Sequence, residues 1–106
     1  MLQPDLLFVT KAREHIITEK AVEGVPDLVI EILSPTTTRT DRVTKAQIYA
    51  RYGVLAYWIV DPEQEVIEIY LLEADGYQLA ATLQGETPMF APPFTELQIV
   101  ARDVFL

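Results

Sequence analysis

Four side chains of this 106-residue chain could do polar chemistry together: Asp5, Asp27, Glu31 and Lys45. Asp27 and Glu31 lie in PDLVIEILSP, residues 26–35, whose Val, Ile and Leu content is that of a strand inside a sheet. Side chains alternate along a strand, so Asp27, Val29, Glu31 and Leu33 share one face, and Leu28, Ile30 and Ile32 the other. A carboxylate in mid-strand is costly to desolvate; it pairs with a cation, binds a metal or lies at a cleft. Asp5 follows Pro4 in a second strand-like run, PDLLFVT. Side by side on one face of neighbouring strands, Asp5 and Glu31 would be close enough to share a divalent ion. Magnesium suits such a pair, because it takes oxygen ligands and completes its shell with waters and phosphate oxygens. A lysine from the following helix, Lys45, could then assist an attacking hydroxide or offset charge developing on phosphate.

Each of these residues also has a purely structural reading. Glu31 could serve a core ion pair, Asp5 a turn after proline, and Asp27 a turn or cap at the strand start. Lys45 could be a solvated helix lysine paired with Asp41 one turn earlier. Tyr49 and Tyr52 read as core or rim aromatics, and Trp58 as core or a subunit contact. His15, the single histidine, has no constellation around it, and Ser34 lacks the Gly-x-Ser-x-Gly elbow of a nucleophilic hydrolase. The four glycines do not cluster, so no phosphate-cradling loop is present.

The elements that must position these residues follow from the pattern. Residues 4–10 and 27–33 read as strands, joined by a polar connection over 11–25 with a short helical turn. Ser34-Pro35 closes the second strand, and the threonines at 36–38 form a turn. Helical spacing of Val43, Ala46 and Ala50, with Lys45, Tyr49 and Tyr52 on an adjacent stripe, predicts a helix over 39–52 that Gly53 stops. LAYWIVD (55–61) is apolar on both faces, as at the centre of a sheet. Residues 66–73 and 77–83 form a hairpin turning at Asp75-Gly76. Residues 85–95 read as a proline-rich surface loop, and ELQIVARDVFL as a short strand or turn. The expected fold is α/β, a mixed central sheet carrying one main helix, in a single domain over 1–106.

The segments QPDLLFV, GVPDLVIEILSPTT, Lys45, Tyr49 and GVLAYWIVDP together resemble the PD-(D/E)XK nuclease superfamily. Within it they are similar to an uncharacterised branch of restriction-endonuclease-like proteins. The resemblance runs from Pro4 to Asp61. It implies that Asp5 and Glu31 are the metal-binding acids, holding Mg²⁺ or Mn²⁺, and that Asp5, Glu31 and Lys45 form the catalytic set. The superfamily's lysine usually stands where this chain has Leu33; in this branch the helix supplies it, which points to Lys45. Asp27, in the second Pro-Asp pair, is an auxiliary candidate. Members of the branch are usually longer, so the resemblance implies a restriction-endonuclease-like core without the usual N-terminal elements. The implied activity is hydrolysis of DNA phosphodiester bonds. The alternative is an inactive nuclease-like domain serving as an interaction or dimerisation module.

Composition limits the partners. The net charge of −8 argues against broad electrostatic capture of nucleic acid, but leaves room for phosphate met through a carboxylate-held cation. The chain has no cysteine, no signal-peptide pattern and no apolar run long enough to cross a bilayer. A cytoplasmic protein with no membrane partner is expected. An exposed first strand would favour a homo-oligomer, most simply a dimer.

Overall fold

A computed structural model describes residues 5–9, 24–36 and 39–105. The expected connection over 11–25 lies outside the described residues as far as residue 23, and so do Pro4, His15, Thr37 and Thr38.

Five strands form one sheet in chain order: β1 (Leu6–Phe8), β2 (Leu28–Ile32), β3 (Ala56–Asp61), β4 (Val66–Glu73) and β5 (Gly76–Gln84). Among the described strands only β2 and β3 run parallel, and the helix α1 (Arg39–Tyr52) makes the crossover between them. The other neighbours are antiparallel. This is the expected mixed α/β sheet with one main helix.

Period-two alternation sorts the side chains into two cores. Leu28, Trp58, Ile67, Ile69 and Leu83 are buried on one face, and Val29, Tyr57 and Ile59 on the other, where Tyr49 of α1 and Val54 join them. β3, third of five, is buried on both faces, as its unbroken apolar run predicts. The helix ends on its expected residue for a local reason. Gly53 has φ +80°, and its N–H donates to the Ala50 carbonyl while that of Val54 reaches back to the Tyr49 carbonyl. These two bonds make a Schellman stop, sealed by the buried Val54.

Two expectations need correction. The hairpin turns on Ala74 and Asp75, because Gly76, at φ +117°, is already paired with Glu73. Residues 85–95 are not simply a surface loop. They contain β6 (Met89–Phe90), which pairs with β7 (Gln98–Ile99) ahead of the short helix α2 (Ala101–Val104). Ala91 and Ala101 are fully buried, and the indole N–H of Trp58 donates to the Pro92 carbonyl at 2.8 Å. Phe94 meets both Trp58 and Phe8 edge to face. The C-terminal segment thus roofs one face of the sheet, leaving the other to α1.

Candidate active site

The α1-facing side of the sheet carries a row of acids. In the β1–β2 register Leu6 opposes Ile30, so Asp5, one residue earlier, comes opposite Glu31 and shares its face. Glu31 opposes Ile59 on β3, and Ile59 opposes Glu68 on β4. α1 lies over this row and sets a cation on each flank. The Lys45 ammonium donates to Glu31 Oε1 at 3.0 Å, and the Arg42 guanidinium donates to Glu68 Oε1 at 3.3 Å.

Glu31 is the one buried charged residue among those described, at 5% exposure. Its second oxygen, Oε2, accepts a 2.5 Å hydrogen bond from the Tyr49 hydroxyl. Lys45 and Tyr49 are four residues apart on α1, one helical turn, and so reach the same carboxylate. Burial, then the hydrogen bond and charge of Glu31, then Tyr57 and Asp5, push the Tyr49 phenol far above the usual tyrosine range. Tyr49 is therefore a hydroxyl donor at neutral pH, as an ordinary phenol already is. Burial and the Glu31 charge also push the neighbouring Tyr57 phenol up to about 12. The Asp5 carboxylate is exposed and accepts the Ile32 amide at 2.6 Å, which ties it to the β2 edge just past Glu31.

Asp5, Glu31 and Lys45 are thus brought to one end of the β1–β2 pair. Asp27 is not. Its amide donates to the Phe8 carbonyl at the opposite end of β2, about 13 Å from Glu31 at the usual rise per strand residue. Sequence reasoning read Tyr49 as a core or rim aromatic, with no part in the site, and did not single out Glu68. The four-residue spacing from Lys45 was the available signal for Tyr49; nothing in the alternation of β4 marks Glu68.

The donor set can be weighed for a divalent ion. Among the described residues no three acidic, cysteine or histidine side chains gather, so the site offers the two carboxylates Asp5 and Glu31. Carboxylate oxygens are the donor type that Mg²⁺ or Mn²⁺ takes; Asp5 is exposed, and Glu31 is buried with both oxygens already hydrogen-bonded.

A mixed five-stranded sheet with one crossover helix makes this an α/β protein of the architecture expected for a restriction-endonuclease-like core. The chain belongs to the Uma2 family, described as "Putative restriction endonuclease", which matches over residues 1–102. The crystal structure of a "putative nuclease belonging to DUF820" from Anabaena variabilis is similar in fold, with a TM-score of 0.61 and 23% identity. The match covers 83% of this chain and 51% of that one, so this chain spans about half of that protein's length. Comparison with curated proteins finds no significant match.

Proposed function

We propose that the protein is a metal-dependent endonuclease that hydrolyses DNA phosphodiester bonds, with Asp5 and Glu31 holding Mg²⁺ or Mn²⁺ and Lys45 acting on the phosphate. The observation that carries the reading is the 3.0 Å contact of Lys45 with the buried Glu31, across from Asp5 in the strand register. The family and the nuclease-like neighbour support the reaction class. When bound, the ion would supply Lewis-acid polarisation of phosphate and acidify water. The protein's own part is positional. The helix and strand fix Glu31 between two donors, Asp5 is tethered to a backbone amide, and Lys45, half-exposed, can turn from Glu31 toward a phosphate oxygen carrying developing charge. The same reading expects a cytoplasmic protein, with access to DNA.

Glu31→Ala is expected to abolish both metal binding and cleavage. Lys45→Ala should keep metal binding while slowing cleavage on the order of a hundredfold. If Glu31→Ala cleaves DNA as fast as the wild type, the proposal is wrong. A second reading, an inactive nuclease-like domain used for dimerisation, is favoured by β1, whose Leu6, Leu7 and Phe8 are all exposed at the edge of the described sheet. A thermal melt unmoved by millimolar Mg²⁺ or Mn²⁺, together with a dimer on size-exclusion chromatography, would favour that reading.

A further inference from the structure

We infer that Tyr49 biases which divalent ion the site accepts, because its hydrogen bond competes with an ion for one of the two Glu31 oxygens. The inference rests on the proposed role of Asp5 and Glu31 as metal ligands. A carboxylate offers about four lone-pair directions on two oxygens. Here each oxygen already accepts one bond, Oε1 from Lys45 and Oε2 from Tyr49.

The two donors differ in freedom. Tyr49 is 6% exposed, its ring lies 5.5 Å from that of Tyr57, and its carbonyl takes part in the Schellman stop. It has nowhere else to turn. Lys45 holds its ammonium on a flexible stem whose side chain is 36% exposed, so it can swing aside. An arriving cation therefore finds Oε1 negotiable and Oε2 held. At 2.5 Å the Tyr49 bond lies at the short, strong end for a hydroxyl on a carboxylate. Displacing it would leave a hydroxyl buried without an acceptor.

This restriction bears unequally on different ions. Ca²⁺ takes about six to eight oxygens and often binds a carboxylate through both of them, whereas Mg²⁺ demands near-octahedral geometry and keeps several waters. Sharing Oε2 with the Tyr49 hydroxyl costs a single-oxygen Mg²⁺ ligand little and weakens the two-oxygen mode open to Ca²⁺. Tyr49 would thus act as a filter built into the helix, one turn from the lysine.

The test compares Tyr49→Phe with Tyr77→Phe. Both keep the aromatic ring in the same tyrosine cluster, and the Tyr77 hydroxyl donates to the Val54 carbonyl at 2.6 Å rather than to Glu31. Titrations with MgCl₂ and CaCl₂, without nucleic acid and read by calorimetry and thermal melting, give the Mg²⁺-to-Ca²⁺ affinity ratio. Tyr49→Phe should lower that ratio on the order of tenfold, an effect of the size that outer partners of metal ligands have on affinity but falling unequally on the two ions, and Tyr77→Phe should leave it unchanged. If Tyr49→Phe weakens both ions by one factor, Tyr49 merely orients Glu31 and the inference is overturned; an equal change in Tyr77→Phe overturns it as well. If the wild type binds neither ion in a Glu31-dependent way, the metal-ligand reading itself fails, and the inference with it.

Discussion

Replacing Lys45 by methionine removes the cation from a carboxylate that is only 5% exposed, while keeping most of the stem. At 3.0 Å two unit charges attract by about 5 kcal/mol at an effective dielectric near 20. Desolvation of Glu31 cancels much of that, and the 36% exposure of the lysine side chain lets water screen the rest. A net loss of about 2 kcal/mol is expected for Lys45→Met. Glu31→Gln keeps an oxygen to accept the Tyr49 hydroxyl and leaves a lysine that can reach solvent, so it should cost about 1 kcal/mol. The double variant has no buried charge to compensate and should lie within about 1 kcal/mol of the wild type. The double-mutant cycle then yields a coupling of about 3 kcal/mol, the sum of the two single losses when the double variant matches the wild type, read from urea melts at neutral pH with m unchanged. The Arg102–Glu86 pair, with side chains 66% and 71% exposed, is the internal control, and its coupling should stay below about 0.5 kcal/mol. If the Glu31–Lys45 coupling is no larger than that of the exposed pair, Glu31 is solvated and the reasoning behind a dry, preset carboxylate is refuted.

Further outcomes follow from neighbouring groups. Because the Tyr57 phenol is raised to about 12 in the folded protein from its ordinary 10.0, its contribution is fully present below pH 10 and is lost as pH rises toward 12. The loss is about 2–3 kcal/mol, to be seen as a falling melting temperature that Tyr57→Phe partly removes. Trp58→Phe deletes the bond to the Pro92 carbonyl and should cost about 1–2 kcal/mol in a denaturant melt, with faster amide exchange in residues 98–104 than in α1. DNA binding should show a shallow salt dependence, a log–log slope of roughly −2 to −3 for two or three phosphates met by α1, and a slope steeper than about −6 would contradict a small contact.

The parts of the fold legible in the sequence are those whose signal is local. α1 was readable to its last residue because Gly53 both breaks the pattern and supplies the left-handed stop. Strands β2 to β5 were readable from their apolar content, and the two faces of β2 sort as alternation requires. The hairpin was displaced by one residue because a glycine after an aspartate reads as turn, whereas here its positive φ serves the first strand position. The roof over the second face was illegible, because two-residue strands carry no periodicity and the segment is held by Trp58 and Phe94 from far along the chain. At the site, Glu31 was marked by the cost of an acid in a buried strand. Tyr49 was hidden, since an aromatic on an inward helix stripe reads as packing until the helix-to-sheet distance places its hydroxyl on a carboxylate.

The charge distribution bears on how such a chain could handle phosphate at all. α1 holds Arg39, Arg42, Lys45 and Arg51, half of the eight lysines and arginines, against the single acid Asp41. In a protein of net charge −8 this makes the site helix the basic element. Yet Arg42 and Lys45 are tied down by Glu68 and Glu31, so the resting site is close to neutral and offers a polyanion little free positive charge. Neutralising the acid row therefore matters more for phosphate than adding lysines would. On the proposed reading, a divalent cation at Asp5 and Glu31 would offset two carboxylates at once and leave the Lys45 ammonium uncompensated beside them. On that reading the site would gain affinity for phosphate in the same step that equips it for hydrolysis, and without the ion it would have little hold on DNA.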